Sequence, residues 1–394
     1  MVRCELRYDG LGTIRSFSQK VTYMSDANLT FGWFLPTSGD STCLSNPAAH
    51  LQQGRELFDE IVEVVDGAQF SYMLMPVNAA CWEATVTGAF YLARTRNVAP
   101  LIALRAGYCN PVLSAKMFAT LDQLSGGRLC VNLIAGINDD DTRADGIADT
   151  KAVRYEKMDE EVQIMKRLWT RNEPINFDGR HYQVNSQIEP KPVQQPHPPF
   201  FLGGGSEQAL EISAKHSSVH LFWGDRPSGI REKIADLRAR AQRYGREQHL
   251  EFGMRLQIIC ADSEEEAWSH AYRLIGAATD IQPANMRMNK NALEGIRRTS
   301  EANRQVWQLL EESGEDMKLA PHLWAGISKV RAGAGIAVVG DPAQVAATLE
   351  EFVDAGCTSF CLSGYPHAQA ARIFAEKVLP LFEGRITKML PRAA

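Results

Sequence analysis

No apolar run in these 394 residues is long enough to cross a bilayer as a helix, so no membrane partner is expected. Positive charge is not in excess. The 42 Lys and Arg face 47 Asp and Glu, a net charge of −5, which removes the basic footprint that nucleic-acid binding requires. Eight cysteines occur without a CxxC pair or regular spacing. They read as reduced thiols of a cytoplasmic protein, not as a disulfide framework. His197, His216, His220 and His249 do not form HExxH or its relatives, so no metal centre is expected. The first residues, Met1-Val2-Arg3-Cys4-Glu5, have no apolar core of the signal-peptide kind.

What is present is an ordinary globular composition, 45% hydrophobic and 23% charged, with a repeating pattern. Residues 1–28 are polar and weakly patterned and read as an N-terminal extension. From 29 to 385, short apolar runs alternate with amphipathic stretches in one domain. Strands are expected at 29–35, 72–76, 98–105, 128–135, 200–203, 219–223, 252–260 and 358–363. They are rich in β-branched and aromatic residues and apolar almost throughout, as parallel strands covered on both faces are. Helices are expected at 79–94, 111–125, 152–170, 207–216, 229–244 and 263–278, and from Asp341-Pro342 onward. Eight strand–helix repeats imply a closed (β/α)8 TIM barrel. Two insertions interrupt it. Residues 172–198 hold a hairpin signal and many prolines, and 280–340 hold few strand signals and are expected to form a mobile lid.

Chemistry in such a barrel gathers at the C-terminal ends of the strands. Gly203-Gly204-Gly205-Ser206 follows the fifth strand and opens a helix, a suitable phosphate cradle or simply a tight turn. Arg255 lies inside the seventh strand, where an unpaired charge is costly; it is a ligand for an anion or half of an internal ion pair. Arg331 sits in the glycine-rich Val330-Arg331-Ala332-Gly333-Ala334-Gly335. Trp223 ends the sixth strand, as core or as a flat wall for a ring. Cys81, after the second strand, reads as a small structural residue or as a thiol with its pKa lowered by a helix start. Tyr365 and His367 follow the last strand, where a histidine is structural, an anion ligand or an acid–base group.

Taken together, these motifs resemble the luciferase-like flavin monooxygenases, and most nearly the FMNH2-dependent alkanesulfonate monooxygenases. The matching pieces are Trp33-Phe34-Leu35-Pro36-Thr37 with Gly39-Asp40, Leu121-Asp122 with Gly127-Arg128, Asn132-Leu133, Arg154-Tyr155-Glu156, Gly203-Gly204, Trp223-Gly224, Arg255-Leu256, Leu323-Trp324-Ala325-Gly326, Arg331 and Ser363-Gly364-Tyr365-Pro366-His367. The resemblance implies a two-component enzyme. Reduced FMN comes from a separate NAD(P)H-dependent FMN reductase, O2 is the oxidant, and an organosulfonate is cleaved at its C–S bond to aldehyde and sulfite. It implies an active site of Cys81, Arg255, Arg331, Tyr365 and His367, with Trp223 toward the substrate. It assigns Asn132, Tyr155, Gly204, Gly205 and Ser206 to FMN, and suggests a homo-oligomer, dimer or tetramer. Two positions depart from the family. Ser38 and Gln257 stand where histidines of its substrate pocket are found, so another substrate (a sulfone, an amine or a natural-product intermediate) or a non-catalytic flavin-binding barrel is the alternative.

Overall fold

The computed structural model describes residues 27–136, 139–276, 295 and 300–388. Nearly all of the expected N-terminal extension, and residues 280–294 and 296–299 of the expected lid, lie outside the described residues.

Eight parallel strands close into a barrel: β1 (Thr30–Phe34), β2 (Tyr72–Met75), β3 (Ala99–Arg105), β4 (Cys130–Ile134), β5 (Phe200–Gly203), β6 (Val219–Trp223), β7 (Glu251–Cys260) and β8 (Ser359–Ser363). Each pairs with the next in chain order, and β8 returns to β1. Side chains alternate as the pleat requires. In β1, Phe31 and Trp33 pack outward into the layer under the helices. Tyr72, Leu101, Cys130, Phe201, Leu221 and Cys361 fill the barrel interior. Gly32 leaves room for that filling, because a Cβ there would sit 2.0 Å from the Tyr72 ring.

The helices that matter for the site are α1 (Arg55–Gly67), α2 (Ala84–Leu92), α3 (Pro111–Ser125), α4 (Lys151–Thr170), α5 (Glu207–His216), α6 (Pro227–Gln242), α7 (Glu264–Ile275), α8 (Glu301–Glu312), α9 (Pro342–Ala355) and α10 (His367–Ile373). Several of their starts are capped by side chains. Asn110 caps α3 with Pro111 at its first position, and Asp341 and Gln344 form a capping box on α9. Tyr155, Met158, Val162, Met165 and Trp169 form the buried stripe of α4.

The structure corrects the expectation at three places. The helix after β2 begins at Ala84 rather than 79, because the Glu83 carboxylate caps it and residues before it turn back, the Cys81 amide donating to the Asn78 carbonyl. The helix after β6 begins at Pro227, a residue whose fixed φ suits a first turn. The 280–340 insertion also holds strands. Ala337–Gly340 runs parallel to Gln257–Cys260 of β7, and Leu323–Trp324 and Lys318–Ala320 add antiparallel to it. β7 is ten residues long; its register with β6 ends at Arg255, and beyond that point the new strand takes the neighbouring place. That apolar run ends at Gly340 and lies outside the strand–helix repeat, yet it brings residues 331–335 over the barrel mouth.

Candidate active site

The C-terminal ends of the strands surround a cavity of about 1150 Å³. Phe34 of β1, Asn132 of β4, Gly203 of β5, Trp223 of β6 and Arg255 of β7 line it, and Tyr365 and His367 enter just past β8. Arg331 closes the side built by the glycine-rich segment.

The two arginines are the main electrostatic feature. Arg255 is buried between Trp223 and Cys361 in register, with its guanidinium carbon 4.8 Å above the Phe34 ring and Nη1 3.5 Å from Cys361 Sγ. Arg331 donates from Nε to its neighbour's carbonyl, Ala332 O, at 3.1 Å and from Nη1 to the Tyr365 hydroxyl. Among the described residues, neither is in an ion pair with a carboxylate. By contrast, Arg105 at the end of β3 is bound by Asp141 and Asp145, and Arg154 by Asp139. A buried guanidinium without a carboxylate is costly, and an anionic ligand offsets that cost. Burial pushes the Tyr365 phenol up, and the adjacent Arg331 and Arg255 act against it, so the hydroxyl stays protonated and can donate.

Behind Tyr365, edge-on at 4.7 Å, stands His367. Asp40, fully buried, accepts from the His367 amide at 2.6 Å, from its Nδ1 at 2.8 Å and from the Ser41 amide at 2.8 Å. Nε2 of His367 is buried and has no partner among the described residues. Asp40 was visible in sequence only as the end of a motif; it was not expected to act.

A second group faces the opposite wall. Gly204 and Gly205 line the cavity where β5 passes into α5, and Ser206 caps that helix by accepting from the Ala209 amide at 3.3 Å. Tyr155 of α4 is buried on the same wall, where burial pushes its phenol up and the Ser206 side chain acts against this. Gly204 has φ +140 and would place a Cβ 3.1 Å from that of Ala209, so the turn needs glycine. Lys151, at the start of α4, lines the same wall, and burial lowers its pKa. Helix-start amides, two hydroxyls and a lysine are a donor set that fits a phosphate.

Two expected site residues are placed otherwise. Cys81 does not line the cavity. Its thiol is pushed up by burial, the hydroxyls of Thr37 and Ser38 acting only partly against this, and Glu83 takes the helix-start amide that was to lower it. Gln257 is fully buried behind the wall and donates from Nε2 to the Ala334 carbonyl at 2.9 Å, so it holds the Arg331 segment instead of reaching into the cavity. Ser38 does line the cavity. Three contributors were missed. His50 packs its ring against Gly39 beside Ser38 and lines the cavity, Asn303 of α8 accepts from the Gly333 amide at 2.7 Å, and Lys151 joins the phosphate wall. None falls in a recognisable motif.

Residues 29–359 match the luciferase-like monooxygenase family model, and the chain belongs to that family. Solved structures share its fold. Riboflavin lyase (RcaE), solved with modified FMN and riboflavin, matches at TM-score 0.73 and 17% identity, over 93% of this chain and 94% of that one. EDTA monooxygenase (EmoA) from Chelativorans sp. BNC1 matches at 0.71 and 16%, over 92% and 96%. Long-chain alkane monooxygenase (LadA) matches at 0.66 and 17%, over 91% and 92%. The names of these proteins span charged and apolar substrates, so the fold does not choose among them.

Proposed function

We propose that the chain is the oxygenase half of a two-component system, taking reduced FMN from a separate NAD(P)H-dependent reductase and using O2 to cleave an organosulfonate to aldehyde and sulfite. The observation that carries this is the pair Arg255 and Arg331, two cavity-facing guanidiniums with no carboxylate partner among the described residues. Bidentate arginines suit a sulfonate, whose three oxygens share one charge.

In this reading Gly204, Gly205, Ser206, Tyr155 and Lys151 hold the phosphate of FMN, with Asn132 and Trp223 along its ring system. When bound, reduced FMN supplies the electrons that activate O2. One oxygen atom ends in the aldehyde and the other in water, the two reducing electrons come from FMNH2, and the carbon gives up a proton. Arg255 and Arg331 orient the sulfonate and stabilise the charge on the departing sulfite. Tyr365, kept protonated, donates to an oxygen that gains charge. The segment 331–335 covers this arrangement and excludes water. A homo-oligomer is proposed on the family resemblance alone.

The test is sulfite release from a panel of sulfonates with a generic flavin reductase, NADH, FMN and air. Substrate-dependent sulfite supports the reading. Substrate-dependent O2 uptake without sulfite moves the assignment to a sulfone, amine or natural-product intermediate, and tight FMN binding with neither leaves a non-catalytic flavin-binding barrel.

A further inference from the structure

We propose that Asp40 and His367 form a buried acid–base pair whose free nitrogen, His367 Nε2, takes the proton released as the C–S bond breaks. The proposal deepens the sulfonate reading and rests on it for its substrate. The geometry is specific. Asp40 and His367 are 0% and 1% exposed, and the carboxylate accepts three hydrogen bonds, two of them from His367. A carboxylate only accepts, so Nδ1 carries a proton, and in the neutral ring Nε2 is left with a lone pair. That atom is buried without a partner among the described residues, on a residue that lines the same cavity as both arginines. An unpartnered polar atom at such a place is costly unless a ligand meets it. The groups that face the imidazole are Asp40 from the β1 side, Tyr365 on its own turn, the Phe34 ring at 5.8 Å, and Arg255 and Arg331 across the cavity.

The step balances without any further redox partner. Oxygenation of the sulfonate carbon yields an α-hydroxysulfonate. Its hydroxyl proton passes to Nε2, the O–H electron pair becomes the carbonyl π bond, and the C–S pair leaves with sulfite between the arginines. Asp40 is the positioning residue; it fixes the tautomer and stabilises the imidazolium that forms.

Asp40→Asn is the discriminating change, because its amide can donate to Nδ1 and so shift the ring proton to Nε2. A preformed α-hydroxysulfonate, such as an aldehyde–bisulfite adduct, is supplied directly, and sulfite release is followed with and without FMN. Wild type is expected to accelerate release. Asp40→Asn and His367→Asn should lose the acceleration by on the order of 100-fold. Equal rates in wild type and the variants overturn the proposal. Nitrogen NMR of histidine-labelled wild type provides a readout that needs no turnover and no variant. Proton on Nδ1 of His367 is expected, and proton on Nε2 in the neutral ring overturns the pair. If plain sulfonates give no sulfite, the oxygenase reading fails while both of these measurements still report on Asp40 and His367.

Discussion

Arg331 shows how one side chain can carry charge, contact and position at once. It is the only guanidinium of the segment 331–335, it holds the Tyr365 hydroxyl, and its own backbone neighbour takes its Nε. Replacement by alanine removes an anion contact but no core packing, since Arg331 is only partly buried. Arg331→Ala is therefore expected to lower kcat/KM for the sulfonate by at least about 100-fold, the usual cost of one charge-stabilising donor in an active site, with the melting temperature nearly unchanged. Arg331→Lys should restore only part of that loss, because an ammonium cannot make the paired contact. Sulfite kinetics and a thermal scan on the same preparations check both; unchanged turnover in the alanine variant removes Arg331 from the anion site. At this scale the sequence was informative where a residue type was unusual for its place. Arg255 in an apolar strand and the glycines before Ser206 were visible as such. His50, Asn303 and Lys151 are common polar residues that only the fold brings to one cavity, and Asp40 is brought by the fold to His367 behind its wall. Gln257 and Cys81 misled for the same reason. Motif position gave their neighbourhood, and the direction of the side chain, into the cavity or behind it, depends on pleat and on packing that the motif does not contain.

The elements around the mouth act together. The segment 331–335 is held from two sides, by Gln257 of β7 through the Ala334 carbonyl and by Asn303 of α8 through the Gly333 amide. Gly335 allows the approach, since a Cβ there would lie 2.9 Å from the Ser328 backbone. Each clamp is one buried hydrogen bond, worth about 1 kcal/mol net. Gln257→Leu or Asn303→Ala should each lower kcat/KM about five-fold, and the double variant should lose more than either, with FMN affinity retained. Steady-state kinetics beside flavin titration distinguish this from a general loss of folding; equal loss of FMN binding would refute a local clamp. The barrel strands were legible because each is an apolar run flanked by turn residues and followed by a capped helix. Ala337–Gly340 was not, because it lies outside the strand–helix repeat and its partner is the far half of a strand already counted. Strand pairing is a property of two segments, and only one of them had a clear signal.

At the scale of the whole molecule, the buried titratable groups outside the mouth set how the barrel responds to acid. Burial lowers His197 to about 3, with Lys166 nearby acting the same way, and lowers His220 to about 3, although the Gly204 backbone bond opposes it. Both rings are neutral in the folded chain and ordinary, near 6.5, when unfolded. The unfolded chain then binds more protons as pH falls below 6.5, so their stabilisation is present above that pH and is lost progressively on the way to about 3. Glu161 acts in the opposite sense over part of this range. Burial raises it from 4.5 to about 7, so its cost is greatest above 7 and is relieved as pH falls to 4.5. His216, lowered by burial to about 4, adds to the two histidines, and three histidines against one carboxyl leave a net loss of stability as pH falls from 6.5 to 4.5. Below 4.5 Glu161 no longer compensates, and the slope should steepen. The melting temperature is therefore expected to decline gently from pH 6.5 to 4.5 and sharply below that. His220→Gln, which keeps a hydrogen-bonding group near Ser213 but cannot be protonated, should show a shallower decline than the parent. Thermal unfolding followed at half-unit pH steps in both proteins measures this directly. A parent curve that stays flat to pH 4 would mean that the buried histidines are reached by protons in the folded barrel, and that its interior is far less closed to water than the packing of His197 between Trp169 and Phe200 implies.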